Sequence, residues 1–547
     1  LGYMQVVHRN FYIKKLATAS KTKVTTSSVR GQIYDASGKP LVENTTKQVV
    51  SFTRSNKMTA AKIKEIAQKL LPLVSISNAD VTERQQVDYY LADSEVYKKV
   101  VNQLPKNKKY GTDGNRLAES KIYNNAVKSV DVAKLNYSDE DKKAIYLFSQ
   151  MNAISNFETG NIRTDNLSAD QIATIASSSK ELSGISITTS WDRKVLDTSL
   201  ASIIGSVSSE KAGLPAEEVD TYLKKGYSLN DRVGTSYLEE QYETVLSGSK
   251  TVVQSQTNTK GQVIKNNETY PGKAGSNLVL TIDTEFQKKI EEIAKTSVEE
   301  MTDPAADRVY IVVMNPKNGD VLGITGKKKK FDGNFQSNGV EDDALGAINN
   351  SFGMGSVVKP ATVLLGYMDG ALTLEDNKIV DEPIEFEASK PKSSWFNRNG
   401  QIELTDLDAL ERSSNVYMIK LAMKMGGQAE YVKGGKLNIN LSLFDKLREY
   451  YAQFGLGVRT GIDLPNEGKG YNGGTANAFS ALDFAFGQFD LYTPLQLAQY
   501  MSTIANGGTR IAPRLVKEIH ETSPKGGIGN LEDVIPTKIM NTLQVEK

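Results

Sequence analysis

The clearest alternation of apolar and polar positions lies just past the middle of the chain. Apolar runs predict a strand in NLVLTID and a hairpin in VYIVVMNPKNGDVLGITG, whose tip Asn315–Gly319 combines Pro, Asn and Gly. Between them, TEFQKKIEEIAKTSVEEM has the period of an amphipathic helix. Together these segments predict a helix packed on an antiparallel sheet, which is an α+β arrangement.

The first half of the chain has weaker patterns. Turn-forming residues from Asp35 to Pro40 separate two β-rich flanks, which predicts a hairpin. From about residue 55 to residue 230 the apolar spacing is helical and is broken by polar turns. The segment Ser247–Asn277 is polar and rich in Thr, Asn, Gln and Gly, so it predicts a linker or a surface β-ribbon with a domain boundary near its end.

Length and composition exclude several classes of function. A chain of 547 residues exceeds the size of a single core, so two or three domains are expected. The 66 basic and 65 acidic residues nearly cancel, which disfavours a nucleic-acid partner. There is no cysteine, and the two histidines, His8 and His520, lie far apart in sequence. Disulfides, thiol nucleophiles, a structural metal site and a Ser-His-Asp triad are therefore not expected.

One apolar segment carries two groups that suit nucleophilic catalysis. In SFGMGSVVKPATVLLGYMDGAL, Ser356 and Lys359 are three residues apart at the head of a helix that is apolar around most of its circumference. Serine needs a neighbouring base, and a lysine that loses solvation becomes available as a neutral amine near neutral pH. Lys359 could therefore activate Ser356, and N–H groups at the helix start could stabilise an oxyanion.

The spacing alone is weak evidence, because Ser-x-x-Lys recurs elsewhere in the chain. Five further copies begin at Ser20, Ser177, Ser208, Ser247 and Ser389. Each has polar, charged or turn-forming surroundings, whereas burial of a lysine in an apolar helix is rare unless it is compensated or functional. The context of Lys359 therefore strengthens the case for a catalytic role, while chance spacing stays open as the alternative.

A second polar interruption separates two helical patterns in LTDLDALERSSNVYMIKLAMKMGG. Ser413, Ser414 and Asn415 could relay a proton and hold an amide substrate at this helix junction. An N-cap for the second helix would explain either Ser414 or Asn415 equally well. Both interpretations stay open on the sequence.

Ser-x-x-Lys followed by Ser-x-Asn, in a domain that opens with a strand, a helix and a hairpin, resembles the penicilloyl-serine transferase superfamily, and class B penicillin-binding proteins in particular. The resemblance extends to further stretches in the family's order: RGQIYDASGKPLVEN, GTSYLEEQYETVLSG, LTIDTEFQ, VVMNPKNGDVLGITG, FGLGVRTGIDLPNE and FGQFDLYTPLQLAQY. It implies an antiparallel sheet flanked by helices, preceded by an elongated mixed α/β pedestal. The expected domains are a non-catalytic, dimerisation-type pedestal at 1–275, with a helical head at about 55–230, and a transpeptidase domain at 276–547.

The resemblance implies a peptidoglycan D,D-transpeptidase that acts without a cofactor. Ser356 would be the acylated nucleophile and Lys359 the base, while Ser413 and Asn415 would assist proton transfer and bind the stem peptide. The donor would be D-Ala-D-Ala, β-lactams would be covalent inhibitors, and membrane-bound cell-wall synthesis proteins would be partners. The expected location is the outer face of the cytoplasmic membrane, with a single N-terminal anchor absent from this chain.

The family's third motif, Lys-Thr-Gly, does not occur in the 547 residues, and neither does Lys-Ser-Gly. In the family this motif supplies a strand edge for the substrate and one N–H of the oxyanion hole. Loss of one such donor typically costs about 10²- to 10³-fold in rate. The transpeptidase domain is therefore expected to be C-terminally incomplete, and the chain as given is predicted to be inactive or nearly so.

Further residues are candidates for substrate binding. Trp395 could line the cleft, although packing under a loop would also explain it, and Ser414, Gln488 and Thr493 lie in family-typical stretches. Two alternative functions also stay open. One is a cell-wall scaffold that acts through the pedestal, and the other is a β-lactamase or β-lactam sensor on the same fold.

Overall fold

A computed structural model describes residues 21–26, 29–55, 58–156, 158–178, 181–209, 212–227, 231–257, 263–270, 272–303, 305–332, 337–522, 531–533 and 538–541. No helix in these ranges is long and apolar enough to cross a membrane. The chain folds into a β-rich pedestal with a helical head, followed by an α+β half that carries the candidate site.

The pedestal is built on a hairpin whose turn is fixed by one carboxylate. Asp35 Oδ1 accepts hydrogen bonds from the backbone N–H groups of Ser37 and Lys39, as expected for an Asx-type turn. The predicted hairpin is therefore confirmed. The pedestal strands are β1 Lys21–Thr26, β2 Ile33–Tyr34, β3 Pro40–Thr53, β4 Thr159–Ile162, β5 Ile185–Val195, β6 Thr251–Thr257 and β7 Val263–Tyr270.

The head consists of amphipathic helices whose apolar faces form two clusters, one around Phe148, Ile145 and Ile66 and the other around Val101 and Ile122. Their N-termini are capped by Ser, Thr or Asp in most cases, and Thr82, Ser138 and Ser168 form capping boxes. The helices are α1 Ala60–Leu70, α2 Glu83–Leu91, α3 Ser94–Gln103, α4 Glu119–Ser129, α5 Asp139–Ala153 and α6 Ala169–Ser177. Four short helices follow: α7 Ala201–Ile204, α8 Val219–Lys224, α9 Tyr237–Gln241 and α10 Glu243–Leu246.

The second half begins with the strand, helix and hairpin that the sequence predicts. These are β8 Asn277–Leu280, α11 Thr284–Glu300, and the antiparallel pair β9 Arg308–Met314 and β10 Val321–Phe331, with β11 Ser337–Asp342 on the far side of β10. The remaining helices are α12 Gly346–Asn349, α13 Lys359–Met368, α14 Asp406–Glu411, α15 Asn415–Met425, α16 Leu443–Gln453, α17 Ala478–Phe484 and α18 Pro494–Ala505. The remaining strands are β12 Ile379–Asp381, β13 Ile402–Leu404, β14 Thr509–Ile511, β15 Val516–His520, β16 Leu531–Asp533 and β17 Lys538–Asn541.

One sheet joins the two halves. Its seven strands run in the order β16-β15-β8-β2-β3-β4, and β5 also pairs with β3. Strand β2 of the pedestal lies parallel to β8, with Ile33 opposite Leu278 and Tyr34 opposite Val279. The predicted boundary at residues 275 and 276 stays a prediction, and this sheet crosses it.

The strands of the pedestal bear on two of the sequence predictions. The helical spacing of residues 55–230 predicts a helical head, and within this region the structure also contains β4 and the eleven-residue strand β5, which pairs with β3 from Val42 to Phe52. The polar segment Ser247–Asn277 forms a β-ribbon of β6 and β7, one of its two predicted alternatives. Strand β5 was missed because its partner lies more than 130 residues away in sequence.

Candidate active site

Ser356 lies in a short 3₁₀ turn, Gly355–Val358, that leads directly into α13. The sequence predicts a helix that starts at Ser356. Helical backbone does begin here, but as a 3₁₀ turn, and the α-helix itself begins at Lys359. In a 3₁₀ turn, residues i and i+3 are eclipsed, so Ser356 and Lys359 lie on one side of the segment. Ser356 is exposed and Lys359 is buried, which places a serine hydroxyl at the surface next to a buried amine.

The amine of Lys359 is held by three acceptors on another element. Its Nζ donates to the carbonyl oxygen of Ser413 at 2.8 Å, to Ser413 Oγ at 2.9 Å and to Asn415 Oδ1 at 2.6 Å. The two motifs singled out in the sequence therefore meet at a single nitrogen atom. Among the residues that the structure describes, no hydrogen bond engages Ser356 Oγ.

Burial changes the acid–base behaviour of this lysine. Loss of solvation lowers the pKa of Lys359 from 10.5 to about 8, while the negative charge of Asp381 acts in the opposite direction. A pKa of about 8 leaves roughly a tenth of the molecules with a neutral amine at pH 7. Lys359 can therefore exchange a proton near neutral pH, which an ordinary surface lysine cannot.

The turn that carries Ser413 has an unusual backbone. Ser413 has φ +54°, a left-handed conformation that costs a non-glycine residue about 1–2 kcal/mol. Ser414 follows as the N-cap of α15, with its Oγ accepting from the N–H of Tyr417 at 2.9 Å, and Asn415 is the first residue of the helix. The N-cap interpretation is therefore correct for Ser414, while Ser413 and Asn415 face the amine.

Close backbone contacts position the turn Gly355–Val358, which carries the candidate nucleophile Ser356 and is called the nucleophile turn below. Gly355 has φ +61°, and its N–H donates to the carbonyl oxygen of Gly487 at 3.0 Å. A Cβ at Gly487 would lie 2.1 Å from the carbonyl oxygen of Gly355, so only glycine fits there. Phe352 and Tyr492 exchange two backbone hydrogen bonds of 2.9 Å, which fixes the approach to the turn.

The other predicted site residues fall into two groups. Trp395 is 70% exposed, and its indole N–H donates to the carbonyl oxygen of Arg412 at 2.8 Å, so the ring stands beside Ser413. Gln488 is exposed immediately after Gly487. Ser414 and Thr493 are fully buried, and Thr493 forms a capping box with Gln496 at the start of α18. Their side chains act as helix caps and have no surface to offer a ligand.

Sequence reasoning missed two buried residues that contact the site. Asp381 accepts hydrogen bonds from Ser414 and Ser394, and Tyr500 contacts the turn that follows Ser356. Asp381 belongs to none of the quoted motifs, and Tyr500 ends the family-typical stretch FGQFDLYTPLQLAQY without being singled out within it. A polar residue closing an apolar strand and a tyrosine in an apolar helix were the available signals, and both patterns are too common to single out a residue. No cluster of metal-ligating side chains occurs within the described ranges.

Two known family descriptions match the sequence over nearly the whole chain. Residues 309–546 match the penicillin binding protein transpeptidase domain, and residues 25–280 match the penicillin-binding protein dimerisation domain. The chain therefore belongs to the penicillin-binding protein transpeptidase family, as its sequence motifs predict, and the predicted fold class is confirmed.

Comparison with individual relatives shows which type of penicillin-binding protein this chain resembles. The chain is 51% identical to penicillin-binding protein 2B of Streptococcus pneumoniae over 551 residues, covering 100% of this chain and 80% of the relative. It is 38% identical to penicillin-binding protein 2A of Bacillus subtilis over 555 residues, covering 100% of this chain and 76% of the relative. The solved structure of the S. pneumoniae 2B protein from strain 5204 superposes with a TM-score of 0.85 at 48% identity, covering 96% of this chain and 85% of that one. The stretches VTTSSVRGQIYDASGKPLVENT and SSEKAGLPAEE are similar to the 2B type of Gram-positive cocci, and these comparisons confirm that similarity.

Proposed function

We propose that this chain carries the pedestal and the acylation site of a peptidoglycan D,D-transpeptidase that works through an acyl-enzyme on Ser356. The observation that carries the proposal is the buried amine of Lys359, bound to Ser413 and Asn415 one 3₁₀ turn from an exposed serine. Membership of the transpeptidase family supports the reaction class.

Acylation begins with attack of Ser356 Oγ on the carbonyl carbon of the D-Ala-D-Ala peptide bond. The hydroxyl proton passes to the neutral amine of Lys359, which then carries a positive charge. The tetrahedral intermediate collapses, the C–N bond breaks, and the departing D-alanine amine takes up a proton. An amine on a neighbouring stem peptide then attacks the ester, and its lost proton returns through the same groups.

Ser413 is well placed to share this proton. Lys359 Nζ donates to Ser413 Oγ at 2.9 Å, so the protonated amine can pass a proton to this oxygen while the Ser413 hydroxyl passes its own proton to the departing D-alanine amine. Asn415 Oδ1 holds the amine from another direction at 2.6 Å. Its side-chain amide N–H₂ is a donor suited to the carbonyl oxygens of a stem peptide.

β-Lactams would enter the same reaction as analogues of D-Ala-D-Ala. The strained amide would acylate Ser356, and the leaving amine would stay tethered, which slows deacylation. Residues 1–547 lack the Lys-Thr-Gly motif, so we expect this segment alone to react poorly.

The substrate chemistry also bears on location and partners. Cross-linking takes place where peptidoglycan is assembled, so we place the enzyme at the outer face of the cytoplasmic membrane, held by an N-terminal anchor. A penicillin-binding protein of the same fold, PBP2 from Helicobacter pylori, has been solved in complex with MreC. We extend this to the expectation that the pedestal meets membrane-bound cell-wall synthesis proteins.

The test is the intact mass of the protein after incubation with a penicillin. Four proteins are compared: residues 1–547, the chain extended through a Lys-Thr-Gly motif, and the extended chain carrying Ser356→Ala or Ser389→Ala. Ser389 belongs to another Ser-x-x-Lys in the same half and serves as the matched control. We expect one drug mass on the extended wild type and on Ser389→Ala only.

Absence of an adduct on the extended wild type would reject Ser356 as an activated nucleophile and favour the scaffold function. Stoichiometric acylation of residues 1–547 would refute the predicted requirement for the third motif. Rapid turnover of penicillin would favour a β-lactamase.

A further inference from the structure

A buried carboxylate lies directly behind the turn that holds Lys359. Asp381 is the last residue of β12 and has no exposed surface. Its Oδ2 accepts from Ser414 Oγ at 2.5 Å and from Ser394 Oγ at 2.5 Å, and its Oδ1 accepts from Asn397 Nδ2 at 3.0 Å. These three donors are all neutral, and within the described part of the chain Asp381 forms no ion pair. A buried charge with no opposite charge in direct contact is costly, so its retention calls for an explanation.

The contacts of Asp381 lead to the catalytic turn through two serines. Ser414 separates Ser413 from Asn415, and its Oγ also accepts from the N–H of Tyr417. Ser394 Oγ accepts from the N–H of Val416 at 3.3 Å. The carboxylate therefore anchors the hydroxyls that cap the first turn of α15, and this turn begins with Asn415.

The anchoring matters because the turn is strained. The left-handed backbone of Ser413 persists only while its neighbours hold it, and its carbonyl oxygen and Oγ are two of the three acceptors of Lys359. Without Asp381, Ser414 would lose its strongest acceptor and the turn would be free to relax.

We propose that Asp381 is a positioning residue of the transpeptidase site, which holds Ser413 and Asn415 around Lys359 through Ser414 and Ser394 and supplies the negative charge that faces the amine. The proposal rests on the proposed function for its catalytic consequence. Asp381 itself touches no reacting atom.

Among charged groups, the carboxylate of Asp381 has the main electrostatic effect on Lys359. The negative charge raises the pKa of Lys359, while burial lowers it more strongly. Nearby charges on the packed elements are already paired: Lys420 of α15 binds Glu382 at 2.6 Å, and Lys378 binds Glu403 of β13 at 3.0 Å. Removing the charge of Asp381 is therefore expected to lower the pKa of Lys359 below about 8.

The first experiment needs no catalytic activity. Residues 1–547 are labelled with [ε-¹³C]lysine and titrated by NMR, with the Lys359 signal assigned from Lys359→Met. We expect Lys359 to titrate near pH 8 in the wild type and at lower pH in Asp381→Asn. Glu382→Gln, which removes the neighbouring carboxylate but none of the bonds to Ser414, is the matched control and should leave the titration unchanged.

The second experiment measures the rate of penicillin acylation against pH in the chain extended through a Lys-Thr-Gly motif. Since misplacement of a catalytic group by about 1 Å can cost about 10²-fold, we expect Asp381→Asn to react about 10²-fold more slowly. The pH at which its rate rises should also be lower than in the wild type. Ser394→Ala removes the hydrogen bond from Ser394 to Asp381 but keeps the negative charge of Asp381. It should therefore slow acylation without changing the pH at which the rate rises.

These outcomes separate the two proposals. Lack of acylation by the extended wild type would reject the proposed function, while a shifted Lys359 titration in Asp381→Asn would still support the role of Asp381. A folded Asp381→Asn with an unchanged titration and an unchanged rate would overturn it. Should Asp381→Asn fail to fold, a Ser394→Ala variant that acylates at the wild-type rate would overturn the positioning role.

Discussion

A single hydroxyl group joins the nucleophile turn to α13. Tyr500 Oη donates to the carbonyl oxygen of Val357 at 3.0 Å and accepts from the N–H of Ala361 at 3.2 Å. These two backbone groups are four residues apart, so the hydroxyl is inserted where a direct helical bond would otherwise form. Tyr500 therefore sets the spacing between the 3₁₀ turn with Ser356 and the helix that begins with Lys359.

Replacing Tyr500 by Phe removes both bonds and leaves the buried N–H of Ala361 and the carbonyl oxygen of Val357 without this partner. We expect the free energy of unfolding of residues 1–547 to fall by about 1–2 kcal/mol, measured by urea denaturation. In the extended chain, acylation of Ser356 should slow as well.

Tyr450→Phe is the matched control, because the hydroxyl of Tyr450 is buried and has no partner within the described residues. Its loss should leave stability and acylation nearly unchanged. Equal effects of the two substitutions would show that the bonds of Tyr500 have no particular value.

At the scale of residues, the sequence indicates the candidate site residues better than the residues that hold them in place. Ser356, Lys359, Ser413 and Asn415 stand in short motifs whose spacing carries chemical meaning. Tyr500 reaches its partner across 143 residues, so no local pattern could indicate the contact. The strained φ of Ser413 was equally hidden, because serine is not a residue type that favours it.

Among the elements, the loop after α17 determines where the nucleophile turn lies. Gly487 has φ +84° and packs against the backbone of Gly355. Because a Cβ would lie 2.1 Å from a carbonyl oxygen, the loop and the turn can approach this closely only with glycine. The position of Ser356 therefore depends on a residue that carries no side chain.

Gly487→Ala should destabilise residues 1–547 by about 3 kcal/mol, since it adds a steric clash to the cost of a left-handed backbone. Thermal or urea unfolding would measure the loss. In the extended chain the displaced turn should also abolish most penicillin acylation.

Gly474→Ala isolates the backbone contribution, because Gly474 has φ +74° but nothing lies within 4 Å of its added Cβ. It should cost only about 1–2 kcal/mol and leave acylation intact. If the two variants lost the same stability, close packing at Gly487 would not be the cause.

Element prediction succeeds where the pattern is local. Strand β8, helix α11 and the hairpin of β9 and β10 follow directly from apolar spacing and turn residues. Strand β5 reads ISITTSWDRKV, whose β-branched residues suit a strand, but its identity becomes clear only once β3 is placed beside it.

The whole molecule is held together by polar contacts as well as by the shared sheet. Tyr242 of the pedestal donates to Asp463 Oδ2 at 2.6 Å, and the same carboxylate accepts from the N–H groups of Leu515 and Val516. Burial raises the pKa of Asp463, while the bond from Tyr242 lowers it. The bond therefore stabilises the charged form of a carboxylate that joins the two halves.

Tyr242→Phe should lower the free energy of unfolding by about 1–3 kcal/mol at pH 7.5, as for other hydrogen bonds to a charged group. The loss should shrink as the pH falls, because the bond stabilises the charged form of Asp463. Since the pKa of Asp463 is raised above that of an ordinary aspartate, this carboxylate takes up its proton at a higher pH than usual. Urea denaturation at pH 5 and pH 7.5 measures the difference.

Tyr450→Phe again provides the control and should show no dependence on pH, since its hydroxyl contacts no titratable group. A Tyr242→Phe effect that was equal at both pH values would exclude Asp463 as the source of the loss.

The seven-stranded sheet has a further consequence for anyone who wishes to transplant the catalytic half onto another protein. A graft cut at residue 276 would keep β8 but leave behind β2, which covers one of its edges. It would also lose Asp35, whose Oδ2 accepts from Thr284 Oγ1 at 2.8 Å at the start of α11. The segment that must be transferred is therefore larger than the transpeptidase domain, because it includes the hairpin of β2 and β3 from the N-terminal part of the sequence.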